Sequence, residues 1–258
     1  MTRPKALVLR SGGTNCEDET ARALELGGAE ADVLHTDRVL EEPTRLDPYQ
    51  ILVFAGGFSY GDDLSAGRVW GLELRTRLRE KLGAHVGRGG LILGVCNGFQ
   101  VLVESGIFEP DRAPEERSIA LYANASNRYE CRWVELEAQE CRCLWLTAGD
   151  RMPSPVAHAE GRFVVKDDAT LERLRGAGQI ALTYVGEGYP ANPNGAVADI
   201  AGLCDPTGQV LGLMPHPERN LDPWNHPAWT RLGRRSEGEG LAFYRQMVQA
   251  LSTNEALA

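Results

Sequence analysis

Apolar residues in the first hundred positions fall in short unbroken runs: Ala6 to Leu9, Val33-Leu34, Ile51-Leu52-Val53-Phe54-Ala55 and Leu91 to Val95. Unbroken runs suit strands covered on both faces, and the stretches between them carry helical spacing, so the pattern predicts a parallel sheet with crossover helices. The first helix carries Ala21, Leu24 and Leu26, opens on a capping box of Thr14 and Glu17, and stops at Gly27-Gly28. A second follows the glycine turn GGFSYGDD at 56–63 and carries Leu72, Leu78 and Leu82. From 118 to 165 the pattern shifts to shorter strand-like pieces, SIALYAN, CRWVELE, CLWLTAG and RFVV, with turns between them. Leu171 and Leu174 mark a short helix, while Ile180 to Val185 and Ala198 to Leu203 read as strands. Asp205-Pro206-Thr207-Gly208 turns the chain into a strand bearing MPHPE, and Leu241 to Leu251 form a closing helix. The expectation is a doubly wound, mostly parallel α/β sheet with a small added antiparallel meander. No repeat, low-complexity tract or linker breaks it, so residues 1–258 read as one domain.

Charge narrows the partners. A net charge of -9 and a pI near 5.2 argue against a general nucleic-acid or anionic-membrane surface, because phosphate binding needs clustered positive charge. No apolar run reaches the length of a membrane span and the first residues lack a secretion signal, so the expected location is the cytoplasm. The six cysteines, spread over a long chain, suit reduced thiols better than a disulfide framework. Cys141-Arg142-Cys143 is too tightly spaced for the usual zinc knuckle and no second pair follows, so no metal site is expected.

Two segments carry chemistry. In Gly94-Val95-Cys96-Asn97-Gly98 a buried strand runs through a cysteine flanked by glycines into a helix, the spacing of a nucleophile elbow. Side chains are missing where the bend is sharpest, and the helix beginning at Asn97 aims unpaired N–H groups at the thiol, which favours its anion. The second segment is Met214-Pro215-His216-Pro217-Glu218. The residue before a proline is pushed to extended backbone, so His216 and Glu218 should share one face of an extended chain, about 7 Å apart at the backbone. A carboxylate at that spacing can accept the imidazole N–H and fix its tautomer. Cys96, His216 and Glu218 thus supply nucleophile, base and orienting acid. Taken singly, a small core cysteine and a structural histidine in a proline-rich turn are the alternatives; the pair together favours catalysis.

With both segments placed, the chain resembles the class I glutamine amidotransferases, whose glutaminase domain carries a Gly-x-Cys-x-Gly elbow and a His-Pro-Glu at matching places. GGFSYGDD at 56–63, RWVELE at 132–137, HAEGRF at 158–163, YPANPNG at 189–195 and GLMPHPER at 212–219 narrow the likeness to the purine-pathway branch. The resemblance implies that Cys96 attacks the side-chain amide of glutamine and that ammonia passes to a large ATP-dependent synthetase subunit, with a small accessory subunit in many systems. It implies no cofactor in this chain, ATP and Mg belonging to the partner. Residues 110–117 and 220–239 depart from the shorter members. The aromatic and arginine residues near 219–234 suit a docking surface.

Chemistry then assigns further roles. An oxyanion needs two donors, expected from the backbone N–H of Asn97 and one from the glycine turn, at Gly57 or Phe58. Phe58 is also expected at the substrate, and Gln100, one helical turn past Cys96, to bind its polar end. Two rival readings stand beside this one, a stand-alone cysteine hydrolase acting as a glutamyl peptidase and a catalytically silent regulatory subunit.

Overall fold

The computed structural model describes residues 3–113 and 116–253, so Pro114 and Glu115 of the divergent 110–117 stretch lie outside the described residues. Its strands are β1 (Lys5–Arg10), β2 (Glu30–His35), β3 (Ile51–Phe54), β4 (Leu91–Val95), β5 (Ile119–Tyr122), β6 (Glu130–Ala138), β7 (Arg151–His158), β8 (Arg162–Val165), β9 (Ile180–Tyr184), β10 (Ile200–Cys204) and β11 (Val210–Leu213). The helices are α1 (Glu17–Gly27), α2 (Thr36–Glu41), α3 (Arg68–Glu73), α4 (Arg79–Gly87), α5 (Asn97–Ser105), α6 (Asp168–Gly176) and α7 (Glu239–Thr253). Among the described residues, nine strands form one sheet in the order β2-β1-β3-β4-β11-β10-β9-β6-β7. The pairings from β2 through to β11 are parallel and those from β11 to β7 antiparallel.

Every residue of β3, β4 and β11 is buried, which requires cover on both faces and explains the unbroken apolar runs. The cover comes from helix pairs, α1 packed on α7 and α3 packed on α5. Toward β7 the pattern becomes alternating, every second residue from Met152 to His158 being buried. The expected meander is divided: β6 and β7 extend the main sheet as an antiparallel pair, while β5 and β8 form a separate two-stranded ribbon.

Three local expectations change. Thr14 does not cap α1; its hydroxyl oxygen accepts the Ser11 N–H at 3.0 Å, closing the preceding turn, and Cys16 stands at the N-cap with no side-chain bond to the helix. The acidic first turn, Glu17 to Glu19, compensates by facing the positive end of the helix dipole. CLWLTAG is a succession of turns, and the strand lies one step on, in RMPSPVAH. Pro153 and Pro155 disguise it, since proline cannot donate to a ladder; β7 tolerates both because it is an edge strand. The helix after the glycine turn is interrupted by a π-turn at Leu74–Leu78, and its Leu72 is exposed while Leu78 and Leu82 are buried.

Close approach between α5 and the sheet fixes the centre of the fold. A Cβ on Gly98 would stand 1.9 Å from the Phe54 carbonyl oxygen, and one on Gly212 would stand 2.0 Å from the ring of Phe99. Helix and strands therefore touch backbone to backbone where side chains are missing. Because the Phe54 backbone has nowhere to move within β3, Gly98→Ala is expected to destabilise the protein by about 3 kcal/mol. Urea unfolding measures this, and an unchanged midpoint would contradict the packing described.

Candidate active site

The parallel strands β4 and β11 deliver both chemical segments to the same end of the sheet. β4 stops at Val95 and α5 begins at Asn97, which leaves one residue to make the turn. Cys96 makes it with φ 52° and ψ -108°, a conformation costing a non-glycine residue about 1–3 kcal/mol. The elbow read from the glycine spacing is therefore present in the backbone. Cys96 Sγ lies 3.8 Å from the carbonyl oxygen of Ala157 at the end of β7.

His216 follows β11 and is held by its own N–H on the Pro155 oxygen at 2.9 Å. Its Nδ1 meets Glu218 Oε1 at 2.5 Å, both side chains being buried. The route differs from the extended segment expected: Pro217 opens a single 3-10 turn over Pro217–Arg219, and that turn, rather than strand alternation, swings Glu218 back onto the ring. Proline suits the first position of such a turn because its missing N–H would be unpaired there anyway. The Tyr244 hydroxyl on α7 donates to Glu218 Oε2 at 3.4 Å. Burial opposes charge on His216, yet the Glu218 carboxylate and the neighbouring thiols outweigh it and hold the imidazole well above its ordinary pKa. Its Nε2 is buried without a hydrogen-bond partner, free for a reacting group.

Gly56 marks the meeting point. The three heavy atoms nearest to a Cβ built there are His216 Cε1 at 2.9 Å, Cys16 Sγ at 3.1 Å and Cys96 Cβ at 3.4 Å. A cleft of about 300 Å³ opens beside them, lined among others by Asn15, Phe58, Tyr129 and Arg219. Residue order assigns Cys16 no site role and puts the arginines from 219 on a docking surface, whereas both Cys16 and Arg219 line the cleft. Arg219 donates from Nε to Glu19 at 2.6 Å and from Nη2 to Cys16 Sγ at 3.1 Å. Cys16, His216 and Glu218 offer ligand atoms within 4.8 Å of one another, but a metal there would break the bond that orients the ring.

The remaining expected residues divide. Asn97 is the first residue of α5, so its N–H has no partner within the helix. Its side chain accepts the Ser59 N–H at 3.1 Å and donates to Asp62 at 3.3 Å, tying the elbow to the glycine turn. In that turn the Phe58 N–H is taken by Gly13 O at 2.9 Å, which leaves Gly57, also in the cleft wall, as the donor still available. The Phe58 ring stacks on Tyr129 at 6.4 Å at the edge of the cleft. Gln100 does not reach it. Both ends of its amide are occupied, Oε1 by Asn97 at 3.0 Å and Nε2 by the Glu160 carbonyl at 2.6 Å, so it braces the cleft wall from behind. Glu160 in turn accepts from Ser65 and Ala66. Burial and the Glu160 charge push the nearby Asp62 carboxyl up to about 6.

The doubly wound sheet and its cleft are those of a glutamine amidotransferase: the sequence pattern of the CobB/CobQ-like glutamine amidotransferase domain matches residues 3–249, and the chain belongs to that family. Its relatives include the phosphoribosylformylglycinamidine synthase subunit PurQ of Dehalococcoides mccartyi, 41% identical over 255 residues that cover 96% of this chain and 98% of that one. The protein of the same name from Methanococcus maripaludis is 43% identical over 234 residues, 88% of this chain and 86% of its own. A chain in the solved structure of PurLQS from Thermotoga maritima superposes with a TM-score of 0.74 at 30% identity, covering 97% of this chain and all of that one.

If Glu218 holds the imidazolium, removing its charge takes away the largest effect that opposes burial and the His216 pKa falls. Glu218→Gln is expected to lower kcat for glutamine hydrolysis by about 10²- to 10⁴-fold. The His216 ionisation in the pH–rate profile should move to lower pH. A profile that keeps its position would separate Glu218 from the ring.

Proposed function

We propose that this chain is the glutaminase subunit of phosphoribosylformylglycinamidine synthase. The reading is carried by the meeting of Cys96 and His216 beside Gly56, with Glu218 bonded to the His216 ring, and supported by PurQ relatives that match nearly the whole chain. Cys96 sulfur attacks the side-chain amide carbon of glutamine after giving its proton to His216. The resulting oxyanion is met by the N–H groups of Asn97 and Gly57. The C–N bond breaks, ammonia leaves with a proton returned by His216, and a glutamyl thioester remains. Water, deprotonated by the same imidazole, then attacks the thioester to release glutamate and restore the thiol. Glu218 orients the ring and balances its charge, and Phe58 lines the substrate's side of the cleft.

The ammonia is used by a large synthetase subunit that holds ATP and Mg and converts formylglycinamide ribonucleotide to the amidine, in a complex completed by a small accessory subunit. The name PurLQS on the similar structure supports such an assembly. No helix among the described residues is long and apolar enough to cross a membrane, which agrees with work on soluble metabolites in the cytoplasm, and we read residues 1–258 as one domain. Docking is assigned to the 219–234 segment, where Trp224 and Trp229 are 62% and 51% exposed and the His226 ring packs tilted against Trp133 with centroids 5.0 Å apart.

In the assembled complex, Cys96→Ala is expected to reduce glutamine-dependent amidation by at least about 10³-fold while leaving amidation from added ammonium salts in place. Retained glutamine use would refute the assignment of Cys96. Loss of both activities would place its effect on the assembly instead. Removing residues 222–236 is expected to weaken complex formation in a pull-down, and unaltered assembly would free that segment of a docking role.

A further inference from the structure

The cleft that holds Cys96 contains a second thiol for which hydrolysis has no use. Cys16 caps α1, with its N–H on the Gly56 oxygen at 3.2 Å, and is buried. Its Sγ stands 4.0 Å from His216 Nδ1, 3.1 Å from the Arg219 guanidinium and 3.1 Å from Asn15 Oδ1. It and Cys96 both border the space left by the missing side chain of Gly56, with Cys16 Sγ 3.1 Å and Cys96 Cβ 3.4 Å from one point within it. Both cysteines therefore border one cleft and one imidazole, whose Nε2 is buried without a partner.

We propose that Cys16 is a resolving thiol, which captures Cys96 as a disulfide when a peroxide oxidises it and so converts damage into reversible inactivation. This rests on the reading of Cys96 as the nucleophile. The Cys96 thiolate attacks one peroxide oxygen, so that an S–O bond forms and the O–O bond breaks. The departing hydroxide takes the proton held by His216, leaving a sulfenic acid and water. Cys16 then gives its proton to His216 and attacks the Cys96 sulfur; the S–S bond forms, the S–O bond breaks, and hydroxide leaves with that proton as water. Arg219, 3.1 Å away, stabilises the Cys16 anion during attack. At rest burial pushes the Cys16 thiol up, against the pull of His216 and Arg219, so it stays protonated and leaves Cys96 free to work. A dithiol reductant, becoming a disulfide itself, returns both thiols.

Peptide mapping of the full chain without reduction, after treatment with hydrogen peroxide and alkylation of free thiols, tests this. The expected product is a linked pair of peptides containing Cys16 and Cys96, with dithiothreitol restoring most of the lost glutaminase activity. In Cys16→Ser, and in Cys16→Ala, the fraction recovered should be at least about fivefold smaller, because the sulfenic acid proceeds to sulfinic acid. Cys96 found as sulfinate in the peroxide-treated protein without substitutions, or linked to a different cysteine, would overturn the proposal. Labelling of the reduced protein by a glutamine-analogue electrophile separates the two readings. Label on Cys96 without the linked peptide removes only the resolving role; no label on Cys96 removes the nucleophile as well.

Discussion

The one-residue turn at Cys96 is the constraint on which the site depends. A left-handed backbone at a residue with a Cβ is unfavourable, and it persists only where the surroundings over-determine it. They do so through two glycines. A side chain on Gly94 would fall 2.6 Å from the Gly98 oxygen and one on Gly98 would fall 1.9 Å from the Phe54 oxygen, so the helix descends onto the sheet until backbones touch. The descent leaves no room for a longer connection between β4 and α5. It also places the unpaired N–H of Asn97 next to the sulfur, so the strain and the proposed oxyanion donor have one origin.

The neighbouring elements follow from that placement. Parallel pairing of β11 with β4 sets Gly212 opposite Gly94 and Leu213 opposite Val95, which brings the chain after β11 out beside the elbow. Edge strand β7 finishes the enclosure. Its Pro155 carbonyl accepts the His216 N–H at 2.9 Å and its Pro153 carbonyl accepts from the Asn220 side chain at 2.8 Å. The prolines leave the strand's outer carbonyls to the segment that carries His216, where another strand would otherwise have paired.

Much of this was readable from residue order because its signals are local. Unbroken apolar runs located the parallel strands, glycine spacing located the elbow, and the prolines around His216 showed that the segment was not a regular helix. What escaped detection depends on distance in space. Cys16 and Arg219 are 203 positions apart and meet only after folding. Gln100 looked like a substrate ligand because helical periodicity points it toward Cys96, but periodicity cannot tell that Glu160 arrives to occupy it. β7 was missed because proline is a poor strand former in the interior of a sheet, and edge position is a property of the whole topology. The segments GGFSYGDD and HAEGRF read as separate signatures, yet Ser65 and Ala66, just past the first, bind Glu160 of the second, making one wall.

Buried histidines of opposite tendency set the conditions under which the site can exist. His85 and His158 are pushed down to about 4 by burial, so each is neutral in the folded protein. A depressed pKa contributes stability that is complete above the ordinary value near 6.5 and is lost as pH falls toward 4. His216 is raised, so its contribution is complete below that ordinary value and is lost as pH rises through the higher folded one. Acid therefore acts on His85 and His158 and not on His216, which is already favoured in its charged form. The His158 ring sits against Asn124 at 3.2 Å, two residues along β7 from the backbone of Val156 and three from Pro155, which holds His216. Charging His158 would strain that same strand end, and the imidazolium of His216 lies near enough to make the second charge still less favourable. At this strand end burial keeps His158 neutral, while the Glu218 carboxylate at 2.5 Å favours the charged form of His216 against the same burial.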